Sequence, residues 1–260
     1  MFLNAADAAT IAVPGSMALT PPSRLQNQHT SVRCRVEAAS MAITVDLLTA
    51  TLVDTFGLFG IGSSLYSTIG TATSRVRASL TDATALDGAI FDSGSAAGRI
   101  SPYYGNLVAL KDGAASTRYI RFDIAQTSAT YLEAGFLMTG ARNQVTINFA
   151  IGASDAPVDP SIVTTTRSGA DWVDERNRYR EWDFNFEWLT TTERFTWVED
   201  LDQLIGASKN VMIIRNCASA NLGRDTLCGR ITNGAPVISR NGYFNDGPAY
   251  SRAYKIKQRL

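Results

Sequence analysis

The sequence predicts a mainly β protein, with a β-sandwich of jelly-roll type over residues 1–142 and a smaller strand-rich α+β domain with one main helix over 143–260. Three observations predict this. Short runs of β-branched and aromatic residues recur through the first half, separated by Gly, Ser and Asp clusters, which is the pattern of many short strands joined by turns. Between Glu181 and Trp188 polar and aromatic residues alternate without a break, so one face of that strand is aromatic and the other wet. At Thr190 the period changes. Thr190 and Glu193 stand at capping-box spacing, Phe195, Val198, Leu201 and Ile205 form one helical stripe, and Gly206 can end it.

Taken in order, Ile43 to Leu48 and Thr51 to Gly60 read as strands, with Gly57, Gly60 and Gly62 marking turns. Arg75 to Leu80 alternates loosely, and Ala89 to Phe91 is a short apolar piece ended by Asp92, Ser93 and Gly94. Tyr119 to Ile124 and Tyr131 to Met138 supply further strands, which together suggest an all-β sandwich or jelly roll. Beyond Arg142, Asn143 to Ile151 reads as another strand. Asp155 to Pro160 holds Pro157 and Pro160, which should keep the backbone extended and stop regular pairing, so it reads as a linker or surface loop. Thr164 to Arg167 leads into a turn at Ser168 to Asp171, followed by Trp172 to Asp174 and a charged stretch. All four tryptophans lie in this neighbourhood, marking a core or a docking surface. Val211 to Arg215, Thr226 to Thr232, Pro236 to Arg240 and Ala249 to Gln258 complete the strands. In the last of these Tyr250, Tyr254 and Ile256 share a face opposite basic residues, as in an edge strand closing the domain or a strand facing a partner.

Composition narrows the function classes. At 260 residues and 45% hydrophobic content the chain can bury a real core. Lys plus Arg and Asp plus Glu both total 24, so no overall field favours nucleic acid. The segment from Met1 to Thr20 carries Asp7 and is interrupted by Pro14 and Gly15, so it does not read as a secretory signal, and no apolar run is long enough for membrane insertion. Cys34, Cys217 and Cys228 are too few and too scattered for a disulfide framework or zinc site, and reduced thiols are expected. His29, the one histidine, lies in a polar stretch where a surface loop is the simpler reading than a catalytic triad. Asp200 and Asp202 are two apart on a helix and do not share a face. Asp171, Asp174 and Glu187 offer carboxylates, as any chain of this size does, and the glycines at 57, 60 and 62 do not form a phosphate loop. No catalytic residue, cofactor or metal is expected.

Two blocks carry a resemblance. Tyr119-Ile120-Arg121-Phe122-Asp123-Ile124, followed by Tyr131-Leu132-Glu133-Ala134-Gly135-Phe136-Leu137-Met138-Thr139-Gly140, resembles the closing strands of discoidin-like, galactose-binding-type jelly rolls in tailed-phage virion proteins, with Ile120 where those carry Trp. Arg167-Ser168-Gly169-Ala170-Asp171-Trp172-Val173-Asp174, with Arg178, Tyr179, Arg180 and the aromatic strand, is similar to a second pattern of the same proteins, with Ala170 in place of a glycine. The resemblance spans residues 43–215. It implies a minor tail protein, a distal tail or baseplate structural protein of the virion tail tip, assembled in the host cytoplasm. Such a protein packs with other copies of itself in a ring and connects the tail tube to hub or fibres. Closed rings need heterologous interfaces, and the mixed-sign run Asp171, Asp174, Glu175, Arg176, Arg178 and Arg180 is the candidate assembly interface. The same run also reads as a solvated hairpin tip whose exposed pairs contribute little. The alternative is a carbohydrate-binding receptor-recognition module that takes a host glycan in the jelly-roll loops, with Tyr103, Tyr104 and Asn106 as the sugar-contact loop. A tyrosine pair there is otherwise ordinary packing.

Overall fold

The computed structural model describes residues 4–233, 237–243 and 248–259. They divide into two compact units. One comprises the chain up to Asn143 together with Met212–Cys228, and the other comprises Gln144–Val211 and Gly229–Arg259.

The first unit contains β1 (Thr10–Ala12), β2 (Cys34–Val36), β3 (Ser40–Phe59), β4 (Gly62–Ser63), β5 (Thr73–Ser79), β6 (Phe91–Asp92), β7 (Ala96–Ala97), β8 (Leu107–Ala125), β9 (Leu132–Ala134) and β10 (Phe136–Gly140). Among the described residues, β1-β3-β8-β5-β6 form one sheet, with β10 also on β3 and β7 also on β5, and β2-β9-β4 form a second. Alternation decides what each sheet buries. Met41, Ile43 and Val45 of β3, Ile120, Phe122 and Ile124 of β8 and Val76 and Ala78 of β5 point inward, and they share one core with Cys34, Val36, Leu132 and Ala134 of the smaller sheet. The result is a β-sandwich of jelly-roll type.

Where two strands were expected over 43–60 there is one. The register of β3 on β8 shifts between Asp46 and Thr51, and at that bend Leu48 takes a φ of +65° while its N–H donates to Asp46 Oδ1 at 2.8 Å. Gly57 stands inside the strand, opposite Val108 and Met138, rather than at a turn. Conversely, the expected strand 131–138 is split: Gly135 N–H donates to Phe59 O at 2.9 Å, where the chain leaves the small sheet for the large one.

The second unit contains β11 (Ser154–Val158), β12 (Ile162–Thr165), β13 (Asp171–Asp174), β14 (Tyr179–Leu189), a helical stretch over 191–205, β17 (Ile238–Tyr243) and β18 (Pro248–Gln258), while β15 (Val211–Ile214) and β16 (Thr226–Ile231) are divided between the two units. The chain passes between the units within β15 and again within β16. Of the expected strand Pro236 to Arg240, Pro236 lies outside the described residues. β14 and β18 pair at the centre, β11 lies on β14, and β16 and β17 lie on β18. Among the described residues, the hairpin β12–β13 forms a two-stranded sheet of its own.

Three expectations are corrected here. Residues 143–151 form no strand, and Ala150 N–H donates to Asn185 O in isolation. Pro157 does not stop pairing: β11 holds it opposite Arg180, which is tolerated because β11 is an edge whose missing donor faces away from the ladder. β18 is an interior strand rather than an edge, and Arg252 joins Tyr250, Tyr254 and Ile256 on its buried face.

The aromatic alternation of β14 holds for Trp182 and Phe184, which are buried, and then slips. Between Phe186 and Leu189 the register against β18 shifts, so Leu189 turns in and Trp188 turns out. Trp172 is also exposed, so the tryptophans are not a common core. The capping box forms as expected, with Thr190 Oγ1 accepting from Glu193 N–H and Glu193 Oε2 accepting from Thr190 N–H at 2.8 Å. Past Thr191–Glu193 the turns Arg194–Val198 and Leu201–Ile205 widen to i→i+5 hydrogen bonds. The wider turn leaves Val198, Leu201 and Ile205 buried but carries Phe195 outward, edge-on to Tyr250 at 6.4 Å. Gly206 ends the stretch at φ +50° with its N–H on Leu201 O.

Candidate functional site

One end of the sandwich gathers loops from distant parts of the first unit, and the short connection between β3 and β4 is what they pack on. Ile61 N–H donates to Gly105 O at 2.9 Å. Gly105 has φ +61°, and a Cβ there would lie 2.2 Å from Ile61 O, so only glycine lets the 101–106 loop close on this backbone. At Gly62 a Cβ would lie 2.9 Å from Arg33 Nη1 and 3.0 Å from both Glu133 Oε1 and the Tyr66 ring. The turn Tyr66–Thr71 follows, and its Gly70 packs on Pro102. Arg33, Tyr66 and Glu133 thereby meet at Gly62, and the 101–106 loop that carries Tyr103 packs beside them on Ile61 and Gly70.

At its centre is a charged clasp. Glu133, on β9, is buried and accepts from two arginines. Arg33 Nη1 donates to Oε1, and Arg35 donates from Nε and Nη2 to Oε2 at 3.2 and 2.9 Å. Arg33 Nη1 also meets the Tyr66 hydroxyl. Both guanidiniums lie beside aromatic faces, Arg35 4.0 Å from the Tyr131 centroid and Arg33 5.6 Å from that of Tyr66. Burial alone would ease the proton off Arg33, but its bonds to Glu133 and Tyr66 outweigh that and raise its pKa. For Arg35 the Glu133 bond dominates, again upward. Two guanidiniums on one carboxylate leave an excess positive charge. Arg33 Nη2 and Arg35 Nη1 lie outside the clasp, and the Arg35 side chain is 38% exposed. Charge-assisted donors next to phenol rings can hold an oxygen-rich ligand.

No protein-family model matches the sequence. No curated protein matches it either. Among solved structures the chain is similar to the lectin binding domain of Lectinolysin, in a His 62 mutant complexed with Lewis b, at 12% identity and TM-score 0.43, covering 55% of this chain and 99% of that one. It is also similar to a fucose binding module of Streptococcus pneumoniae, at 13% identity and TM-score 0.41 over 54% of this chain and 96% of that one. A third is CBM32-1 from a family 31 glycoside hydrolase of Clostridium perfringens, at 12% identity and TM-score 0.40 over 54% and 99%. No ligand follows for this chain from likeness at that level; its sandwich is read from its own sheets.

Of the residues expected in a sugar-contact loop, Tyr103 faces solvent at 81% exposure and Tyr104 is half-buried, its ring edge-on to Tyr103 at 6.4 Å. Asn106 points inward. It is buried, and its Nδ2 donates to Gly223 O and Thr226 O, both at 3.3 Å, which holds the returning segment 212–228 rather than a ligand. The expected assembly run is engaged within the chain. Asp171 accepts from Thr165 Oγ1 at 2.6 Å, Arg176 pairs with Asp174 at 2.9 Å, Arg178 pairs with Asp159 at 2.8 Å, and Arg180, nearly buried, pairs with Asp155. Glu175 is exposed beside them. Of the other polar candidates, His29 is exposed and Asp202 pairs with buried Arg252 at 2.7 Å. Among the described residues, no group of three His, Cys, Asp or Glu side chains is placed to hold a metal ion, and no helix is long and apolar enough to cross a membrane.

Sequence reasoning missed Arg33, Arg35, Tyr66, Tyr131 and Glu133 as site residues. A signal existed for the arginines, which stand two apart around Cys34 and so share a strand face. Their pairing with a glutamate some hundred positions away had none.

Proposed function

We propose that the first unit is a recognition module that binds a carbohydrate at the loop end of its sandwich. The observation that carries this reading is the convergence, around the β3–β4 connection, of the Arg33–Glu133–Arg35 clasp with exposed Tyr66 and Tyr103. Sugars are held by apolar contact of the ring with an aromatic face and by hydrogen bonds that fix the hydroxyls. The clasp supplies oriented donors, and Glu133 keeps them in place. Isothermal titration with fucose, Lewis b and uronic-acid-terminated oligosaccharides tests the reading. Binding should weaken roughly tenfold or more in Arg35→Ala, as for loss of a charged hydrogen bond, and also in Tyr66→Ala and Tyr103→Ala, which are exposed enough to leave folding intact. Absence of binding to a broad glycan panel by the folded wild-type chain would sink it.

The second reading, a structural protein of a phage tail tip or baseplate that rings with its own copies, rests on the sequence resemblance. Its candidate interface is the mixed-sign run over 171–180, which begins on the solvent-facing strand β13. Arg176→Glu and Arg178→Glu test it, since both side chains are exposed. Under this reading they abolish co-assembly with tail components while leaving glycan binding unchanged. Unaltered particle assembly counts against it.

A further inference from the structure

Among the described residues, the hairpin of β12 and β13 pairs with no other strand of its unit. All eight of its strand residues are exposed, including Ile162, Val163, Trp172 and Val173. A two-stranded ribbon with apolar residues on both faces is marginal in water by itself, so the question is what covers it. Its two outer edges differ. β13 carries Asp171 and Asp174, charges of the kind that block strand addition, and an antiparallel pairing of β13 with its own copy would set Asp171 against Asp174. β12 reads Ile162, Val163, Thr164, Thr165: every residue is β-branched, and none is charged or proline. It is an unprotected edge.

We propose that β12 pairs antiparallel with β12 of a second copy of this chain, about a two-fold axis at Val163. Within the hairpin Val163 lies opposite Val173, and Thr164 lies opposite Trp172. Placing Val163 against its own copy therefore extends the row to Val173, Val163 and their two symmetry mates, an unbroken valine stripe across four strands. On the other face Ile162 of one copy falls opposite Thr164 of the second, so each Trp172 packs over Thr164 toward its neighbour's Ile162. No position in the β12 pairing places like charges together. The edge is thus self-complementary, which favours a second copy over an unrelated strand. The ion pairs Asp174–Arg176 and Asp159–Arg178 flank the ribbon and hold its base. This pairing is independent of the glycan reading, which concerns the first unit, and each can fail without the other.

The test is sedimentation equilibrium on the full chain across a concentration series. The wild type should be a dimer, and Val163→Lys, which places two ammonium groups on the axis, should weaken dimerisation roughly thirtyfold or more, the size of a hot-spot loss, with an unchanged circular dichroism spectrum. In a Cys217→Ser background, which removes the exposed native thiol, Val163→Cys should form an intermolecular disulfide on mild oxidation. This second measurement reads proximity without depending on a disruptive charge. A wild type that stays monomeric throughout overturns the proposal, as does a dimer indifferent to Val163→Lys, an assembly of other than two-fold order, or failure of the Val163→Cys cross-link.

Discussion

Glu133 shows how much of a site can hang on one buried carboxylate. Its two oxygens are divided between Arg33 and Arg35, so Glu133→Gln would leave two guanidiniums facing each other with a neutral acceptor between them. Stability in urea should fall by about 1.5–3 kcal/mol, the cost of losing charged hydrogen bonds, and any glycan affinity should fall with it. A second residue-scale effect concerns acid. The Arg75 hydrogen bond, ahead of a backbone bond from Gly94, holds Asp92 down from an ordinary 3.8 to about 2. A carboxyl depressed in the folded state contributes stability that is fully present above its unfolded value and is lost as pH falls through its folded value. Unfolding midpoints followed between about pH 4 and pH 2 should therefore drop more steeply in the wild type than in Asp92→Asn. In the second unit, Phe184 is buried with Phe186 at 5.3 Å, Tyr254 at 5.9 Å and Phe149 at 6.1 Å. Phe184→Ala should cost about 3–5 kcal/mol, and a measured loss under about 1 kcal/mol would mean that these rings do not form a packed core.

At the scale of elements, local rules succeeded where one signal acts over one turn. Thr190 and Glu193 are three apart, and their side chains reach each other's backbone whatever else the chain does, so the helix start was legible. Thr190→Ala should cost about 1 kcal/mol and fray the 191–205 stretch, measured by urea unfolding and hydrogen exchange at Glu193 and Arg194. The helix was legible in its ends but not in its winding. An i, i+3, i+4 stripe assumes α turns, and the wider turns carried Phe195 off the buried face. β14 tells the same story for strands: alternation predicted Trp182 and Phe184 inside, but the bulge before Leu189 sent Trp188 out. Pro157 was misread because proline forbids a central strand only, and a sequence does not say which strand is an edge.

For the whole molecule, the division into units does not follow chain order. Residues 212–228 return to the first unit, where Met212 and Cys228, with Ile214 and Leu222 against them, share a buried cluster with Phe59, Val108, Phe136 and Met138. Asn106 fastens that return through its two amide bonds. A chain ending at Asn143 should therefore expose the Phe59–Phe136 pair, bind the dye ANS and lose cooperative unfolding, although it contains every strand of both sandwich sheets. A chain ending there that melts like the full-length first unit would show that the returning segment is dispensable.

A mainly β chain with a sandwich in its first part, one capped helix beside an aromatic strand, and no charge excess for nucleic acid were all legible in the sequence, because composition and short-range periodicity act within a few residues of each other. The charged clasp, the return of 212–228 and, among the described residues, the separateness of the β12–β13 ribbon come from the folded chain alone. Each depends on which distant segments become neighbours. Arg33 and Arg35 reach Glu133 because β2 pairs with β9, which sets Arg35 opposite Glu133, and because Gly62 of β4 faces the same residue from the other side, and long-range proximity of that kind leaves no period to read.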